Sequence, residues 1–131
     1  MRREFDLPEE DLFFLDNLGL SWEAINLREK WVVIHDHPVF PGYNVPKAHR
    51  GLKIEPSYPE TQIDMVYFLP ELVRVDGKSI NNLTPHSFDG NNWQRWSRHR
   101  TSKNPWRPGI DNIEMHLALV NNWLKREFER N

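Results

Sequence analysis

The chain has 131 residues, a formal net charge of −2 and no cysteine. Its length suits one domain spanning residues 1–131, and its slight negative charge disfavours a protein built to coat nucleic acid. The missing thiol excludes disulfides, cysteine nucleophiles, thioester chemistry and cysteine-based zinc sites.

The N-terminal region predicts a short helix from Asp6 to Asn17. Asp6 and Glu9 have capping-box spacing, Pro8 suits the first turn, and Gly19 is placed to end the helix. We interpret its acidic residues as a solvated surface. The region has no long apolar run, so we expect no signal peptide. No window approaches 18 apolar residues, which predicts no membrane span and leaves a cytoplasmic location as the default.

The middle of the chain predicts an antiparallel meander of four strands. The last of them is apolar enough to be central, and the four are Trp22 to Leu27, Trp31 to His37, Gly51 to Glu55 and Ile63 to Phe68. The Asp76-Gly77 dipeptide predicts a small hairpin within Val73 to Ile80. We expect Leu83 to Asn92 to be irregular.

The stretch from Asp89 to Pro108 is the most unusual part of the sequence. It contains three of the six tryptophans and, between Trp93 and Arg107, five cationic residues with no acidic one. It has no apolar period of a helix or a strand. We therefore predict a long ordered loop wrapped over the sheet, the kind of segment that often carries function.

The C-terminal region predicts a second helix from Asp111 to Arg130. Asp111 and Glu114 repeat the capping-box spacing. Apolar residues at spacings of 4, 3 and 4 share one face, namely Ile113, Leu117, Val120 and Leu124. The order of helix, meander, long loop and helix predicts an α+β fold.

Short motifs are spread over nearly the whole chain: Leu7-Pro8, Pro41-Gly42-Tyr43, Tyr58-Pro59, Asp64-Met65, the string WQRWSRHR at 93–100, and Trp106-Arg107-Pro108. Together they resemble prokaryotic ubiquitin-conjugating-like family E of the ubiquitin-conjugating enzyme superfamily. The resemblance implies an N-terminal helix, a four-stranded antiparallel meander, a long active-site-like loop and a C-terminal helix. It also implies a bacterial operon that encodes a ubiquitin-like modifier, an activating enzyme and a metal-dependent deconjugating peptidase.

The chain departs from conventional members of that superfamily at the reaction centre. Those enzymes carry a catalytic cysteine in the segment equivalent to Phe88 to Trp106, with a His-Pro-Asn tripeptide just before it. Here Thr84-Pro85-His86 lies nearby and cysteine is absent. A fold can persist without its chemistry. We therefore predict a catalytically inactive accessory protein that needs no cofactor and binds the modifier or its activating or conjugating enzyme.

The loop also supplies the candidate contacts for such a partner, because tryptophan and arginine are enriched at interface hot spots. We expect Trp96 and Trp106 to pack the loop onto the sheet, and Arg98, His99 and Arg100 to face outward. The complete set of candidate contacts is Trp93, Arg95, Trp96, Arg98, His99, Arg100 and Arg107.

Three alternatives stay open. Ser97, with His99 two residues later, is a candidate nucleophile with its base, for conjugation or hydrolysis without cysteine. His35 and His37 are candidate metal ligands on one strand face, and residues that could approach them are His49, His86 and Asp64. Basic and aromatic residues in the loop are the combination that binds single-stranded nucleic acid.

Overall fold

The computed structural model of the protein describes residues 1–129. Within that range the chain forms α1 (Glu9–Asn17), β1 (Trp22–Asn26), β2 (Lys30–Pro38), β3 (Lys47–Ile54), β4 (Val66–Leu69), β5 (Leu83–Phe88), β6 (Asn91–Trp96), α2 (Ile113–Arg126) and a 3-10 turn (Glu127–Glu129). The α+β class is confirmed, with one helix before the sheet and one after it. No helix in residues 1–129 is both long and apolar enough to cross a bilayer.

The expected four-stranded sheet is wrong, because the sheet has six strands in the order β1-β2-β3-β4-β6-β5. The first four form the predicted antiparallel meander, and a β5–β6 hairpin extends the sheet beyond β4. Strand β6 shows no sequence period because Trp93 is buried on one face and Trp96 on the other. Pro85 lies in the edge strand β5, where a missing backbone donor is tolerated. These two features explain why the sequence did not predict β5 and β6.

The main core lies between the two helices and one face of the sheet. The four predicted apolar positions of α2 are all buried there, together with Leu15 of α1 and Phe68 and Trp96 of the sheet. The amphipathic face predicted for the second helix is therefore confirmed. Strands β1 and β2 also lie within one residue of their predicted bounds: β1 ends at Asn26, and β2 runs from Lys30 to Pro38.

Both predicted capping boxes are wrong. Helix α1 begins after Pro8, and no side chain caps it. Helix α2 is capped by Asn112, whose Oδ1 accepts a hydrogen bond from the Met115 N–H at 3.1 Å. Asp111 instead bonds to Arg107. The helical region ends in the 3-10 turn, and Arg130, the predicted last residue, lies outside the described residues.

Two predicted strand starts and one predicted hairpin also differ from the structure. Strand β4 starts only at Val66, because Met65 has a positive φ of 58°. Strand β3 starts four residues before the predicted Gly51. The hairpin around Asp76-Gly77 is absent from residues 73–80: the Gly77 N–H bonds to the Arg74 carbonyl, but Arg74 pairs with Tyr43 rather than across the turn.

The sheet face opposite the helices carries a second, aromatic cluster. Phe88 of β5 stacks on Trp31 of β2 with ring centroids 3.8 Å apart, although three strands separate them in the sheet. Gly51 of β3 makes this possible, since an added Cβ there would lie 3.1 Å from Phe88 Cζ and 3.3 Å from Tyr67 Cβ. The sheet is therefore strongly curled, and glycine is required where its two ends approach each other.

An N-terminal arginine ties the two ends of the curled sheet together. The Arg2 guanidinium donates to Glu23 of β1 at 2.9 Å and to Asp89 of the β5–β6 turn at 2.6 Å. The hydrogen bond from Arg2 lowers the pKa of both carboxyl groups, that of Glu23 to about 2.

A buried carboxylate joins the helices to the turn that follows β3. Asp11 of α1 is 1% exposed. It accepts hydrogen bonds from the Tyr58 hydroxyl at 2.6 Å and from the Ile113 N–H, the first of α2, at 3.1 Å. An acidic group at the start of a helix also interacts favourably with the helix dipole. Asp11 therefore fixes where α2 begins relative to α1 and the Tyr58-Pro59 turn.

Replacing Asp11 by alanine should destabilise the protein by about 2–4 kcal/mol, because it leaves the Tyr58 hydroxyl and the Ile113 N–H buried without partners. Urea unfolding monitored by tryptophan fluorescence measures the effect. Asp6→Ala is the matched control: it removes an exposed acid that caps nothing, and should change the free energy of unfolding by less than about 0.5 kcal/mol. Equal effects of the two substitutions would contradict this role of Asp11.

Candidate functional site

The loop predicted from Asp89 to Pro108 is wrong in its first part, where residues 91–96 form β6; from residue 97 to 112 the chain runs without regular structure to α2. It is held at both ends. The Ser97 N–H bonds to the Asn82 carbonyl at 3.0 Å. The Trp106 Nε1–H bonds to the Pro59 carbonyl at 2.9 Å, and the Trp106 ring packs against Tyr58. The Tyr-Pro motif therefore holds the Trp-x-Pro motif directly.

Arg100 anchors the middle of the loop to α2. Its guanidinium lies 4.9 Å from the centre of the Trp106 ring and donates to Nδ1 of the buried His116 at 3.1 Å. The opposite nitrogen of His116 donates to the Met65 carbonyl at 2.8 Å. Burial lowers the pKa of His116 to about 4 and also lowers that of Arg100. The imidazole is thus a neutral structural link with both nitrogens satisfied.

Sequence analysis missed His116 as a partner of the loop. The only available signal was its position: it lies three residues after Ile113 and one before Leu117, on the apolar face of α2. A polar residue on a core-facing stripe needs a hydrogen-bond partner. Nothing in the sequence identified Arg100 as that partner.

Two of the three residues expected to face outward pack inward. Arg98 donates to the buried Glu127 at 2.6 Å, and Arg100 binds His116. The outward orientation predicted for Arg98 and Arg100 is therefore wrong, because each guanidinium has an internal partner. His99, which lies between them, is exposed as expected. Its backbone is held on both sides by the two anchored arginines.

The tryptophans of the string WQRWSRHR belong to the interior. Trp93 is 4% exposed and Trp96 is fully buried, so neither presents a surface to a partner. Arg95 is half-buried and donates to the Thr84 hydroxyl at 2.9 Å. Arg107 is exposed, and its side chain pairs with Asp111 at 3.1 Å. Of the candidate contacts, the structure leaves His99 and Arg107 on the surface.

The internal pairing of these cations also bears on nucleic-acid binding. Arg98, Arg100 and Arg107 each interact with a group of the same chain. An electrostatic groove for a nucleic-acid backbone requires cations that are free to meet phosphates. The arrangement therefore favours a bracing role for the loop arginines.

His99 forms a hydrogen-bonded pair with Asp64, the residue that sequence analysis had considered only as a metal ligand. His99 Nδ1 lies 2.8 Å from Asp64 Oδ2, while the side chain of His99 is 62% exposed. Ser97 and His99 line the same surface cleft of about 660 Å³, together with Trp123 and Arg126. No hydrogen bond joins Ser97 to His99 in the described chain.

The two histidines proposed as metal ligands point to different neighbours. His35 contacts Glu23 and His49, whereas His37 Nδ1 contacts the Pro38 carbonyl. A bulge between Ile34 and His37 breaks the alternation on which the prediction relied. His86 lies in the aromatic cluster. No group of three or more His, Cys, Asp or Glu side chains in residues 1–129 is arranged to hold a metal ion.

A groove lies between α1 and the start of α2, where the acidic residues of the sequence indicate only a solvated surface. It has a volume of about 880 Å³, and its apolar wall includes Phe13, which is 71% exposed. The rest of the lining is acidic or polar and includes Glu9, Glu10, Asn112 and Glu114.

Two further apolar side chains are exposed just before α2 and in its first turn. Ile110 is 53% exposed and Met115 is 41% exposed. The Arg107 guanidinium lies 3.9 Å from the Met115 sulfur. We call Phe13, Arg107, Ile110 and Met115 the α1–α2 surface. It combines exposed apolar groups with an arginine, the composition found in protein contact sites.

The family comparison agrees with the motifs along the chain. The profile of prokaryotic E2 family E matches residues 7–127. The protein belongs to prokaryotic E2 family E. No curated protein and no solved structure matches it. Membership of this E2 family associates the chain with ubiquitin-like conjugation, while the absence of cysteine sets it apart from enzymes that carry a thioester.

His116 should make the stability of this family E protein depend on pH. An unfolded histidine has a pKa of about 6.5, so as the pH falls the unfolded chain takes up a proton before the folded one. The contribution of the neutral His116 to the free energy of unfolding is fully present above pH 6.5 and is lost as the pH falls towards 4. The total loss is roughly 3 kcal/mol. Urea unfolding between pH 4 and 7 measures it.

The control for that experiment is His116→Gln, since a glutamine amide can also donate to Met65 and accept from Arg100 but does not titrate. The variant should lose stability less steeply than the wild type below pH 6.5. Identical pH profiles for the two proteins would contradict the neutral, buried state of His116.

Proposed function

We propose that this protein acts in a ubiquitin-like conjugation pathway without carrying the modifier itself. It binds the modifier, or the activating or conjugating enzyme that handles it, and positions one of them for reaction. The observation that carries the proposal is a family match over nearly the whole chain in a protein that has no cysteine. A thioester forms on a thiolate, so this chain cannot carry the modifier on sulfur. It can still act by binding a partner.

The contacts that maintain the architecture support this proposal. Asp11 binds Tyr58 and the start of α2, and Trp106 binds Pro59. None of these contacts involves a group that would carry an acyl intermediate. We infer that the arrangement of helix, sheet, Tyr-Pro turn, loop and helix is the ubiquitin-conjugating fold, with the β5–β6 hairpin as the difference in strand count.

The α1–α2 surface is the docking site that the geometry favours. The loop tryptophans are buried and the loop arginines are mostly used internally. By contrast, Phe13, Ile110 and Met115 expose apolar area that the fold does not need. Such a surface binds a protein segment whose apolar side chains enter the groove, and its acidic rim selects basic residues on the partner.

The double variant Phe13→Ala/Met115→Ala should weaken binding to the cognate partner by about tenfold or more, because it removes two of the three exposed apolar side chains of the surface. Isothermal titration calorimetry against the purified modifier and the purified activating enzyme measures the affinities. Val75→Ala is the control, since Val75 is 70% exposed but lies outside this surface.

Two results would contradict this proposal. Failure of the wild-type protein to bind either purified partner would remove the docking role. Binding that is equally strong in the wild type and the double variant would remove the α1–α2 surface as its site.

The Asp64–His99 pair supports a second candidate function, acyl transfer or hydrolysis without cysteine. Asp64 would orient the imidazole and His99 Nε2, open to solvent, would accept a proton. Ser97 lines the same cleft and would form the acyl ester. The arrangement has the Asp–His order of a catalytic triad, although Ser97 must move to within hydrogen-bond distance of His99.

Three single variants test this second function in a reconstituted conjugation reaction: Ser97→Ala, His99→Ala and Asp64→Asn. If the pair is catalytic, each lowers the rate at least about a hundredfold, since general-base and nucleophilic groups contribute that much or more. Ser102→Ala is the control, because it removes an exposed hydroxyl from the same loop. Unchanged rates in all three variants, with intact folding, would eliminate the enzymatic alternative.

A further inference from the structure

Two histidines from neighbouring strands meet on the sheet face opposite the helices. His35 of β2 and His49 of β3 have their Nδ1 atoms 3.1 Å apart. Their rings are almost perpendicular, with centroids separated by 4.8 Å. Both side chains are only half-buried.

The register of β2 and β3 produces this pairing, since continuing the ladder one residue beyond Ile34 and Arg50 places His35 opposite His49, and a β-bulge follows. Ile34 is paired with Arg50, but the next pair is His37 with Ala48, so the register shifts between them. Asp36 has a positive φ of 51° in the bulge. The bulge leaves His35 beside His49 and separates it from His37, so the neighbouring histidine in the sequence is not the neighbour in space.

The hydrogen bonds define where the protons lie. His49 Nδ1 accepts from the Asp36 N–H at 3.2 Å, so it presents a lone pair towards His35 Nδ1, which lies 3.1 Å away. The other nitrogen of His35 lies 2.8 Å from Glu23 Oε2 and donates to it. Arg2 holds the other oxygen of Glu23 at 2.9 Å. The carboxylate that orients His35 is therefore itself fixed.

We propose that His35 and His49 bind a divalent late first-row transition ion, such as Zn²⁺, through their two Nδ1 atoms. The ion lies between the two Nδ1 atoms and accepts a lone pair from each. Two imidazole nitrogens bound to one zinc ion at about 2.0–2.1 Å are roughly 3–3.4 Å apart for coordination angles between square and tetrahedral. The observed separation of 3.1 Å lies in that range.

Glu23 occupies the position of an outer-shell partner. Metal-binding histidines commonly donate their second N–H to a carboxylate, which orients the ring and makes its other nitrogen a better ligand. His35 donates to Glu23 in this way at 2.8 Å. The hydrogen bond that orients His35 as a ligand is thus already formed without the ion.

The remaining coordination positions face solvent. His35 and Asp36 line an open cleft with Gly19, Leu20 and Ser21, so water can complete the coordination shell. The Asp36 carboxylate is exposed, and its charge acts on His49. The Asp36 N–H gives up its hydrogen bond to His49 and can bond to water instead. Imidazole ligands select zinc, nickel and copper over magnesium and calcium.

Binding requires both Nδ1 atoms to be free of protons, because a protonated imidazole nitrogen has no lone pair to give to the ion. The affinity should therefore fall as the pH falls, as for any site whose ligands must be deprotonated.

Calorimetric titration of chelator-treated protein with ZnCl₂ at pH 7.5 tests the proposal. The wild type should bind one zinc ion. His35→Asn and His49→Asn should each weaken binding at least about tenfold, and Glu23→Gln should weaken it by about tenfold through the outer shell. Titration with MgCl₂ should give no binding, because a hard cation does not select imidazole.

His37→Asn is the matched control and should bind zinc like the wild type, since His37 contacts only the Pro38 carbonyl at this end of β2. Histidine side-chain nitrogen NMR of the wild type provides a readout that does not depend on how well the variants fold. Zinc should shift the Nδ1 resonances of His35 and His49. Absence of zinc binding, retention of the affinity in His35→Asn and His49→Asn, or nitrogen shifts confined to other histidines would overturn the proposal.

Discussion

The Asp11 carboxylate is the contact on which the arrangement of this protein depends. It lies on α1, accepts the Tyr58 hydroxyl from the turn after β3, and receives the first N–H of α2. A buried carboxylate is costly unless its oxygens are satisfied, and here each oxygen has one donor. The adjacent Pro59 carbonyl holds Trp106, so the loop before α2 depends on the same turn. These contacts connect α1, α2 and the loop to the turn that follows β3 without any contribution from a catalytic cysteine.

The loop between β6 and α2 is braced by ionic and aromatic contacts from inside the protein. Arg98 is bound to Glu127, and Arg100 lies between Trp106 and His116. A cluster of tryptophans and arginines therefore stabilises the loop instead of forming a contact surface. Of the three residues predicted to face outward, His99 does so, and it is paired with Asp64. The loop keeps a defined shape around that pair, whether its role is recognition or proton transfer.

Sequence patterns with a local cause predicted the structure well. The spacing of Ile113, Leu117 and Val120 identified the core face of α2, and the motifs along the chain identified the family. The β5–β6 hairpin escaped prediction because β6 is buried on both faces and because the edge strand β5 tolerates a proline. In such strands periodicity carries no signal.

The candidate sites were harder to predict because their members are distant in sequence. His99 meets Asp64 across 35 positions, and His35 meets His49 across 14, where β2 pairs with β3. Likewise Asn112 rather than Asp111 caps α2, since Arg107 already engages the Asp111 carboxylate. The two histidine contacts depend on tertiary structure that no local pattern encodes, whereas the Arg107–Asp111 pair is a local contact.

Covalent loading tests the central claim, that this protein acts without carrying the modifier. The purified protein is incubated with its cognate activating enzyme, ATP and modifier, and its intact mass is measured before and after hydroxylamine treatment. We expect the mass to remain that of the unmodified polypeptide throughout. A modifier adduct on a side chain that hydroxylamine removes would contradict the claim and assign the acyl-carrying role to this chain.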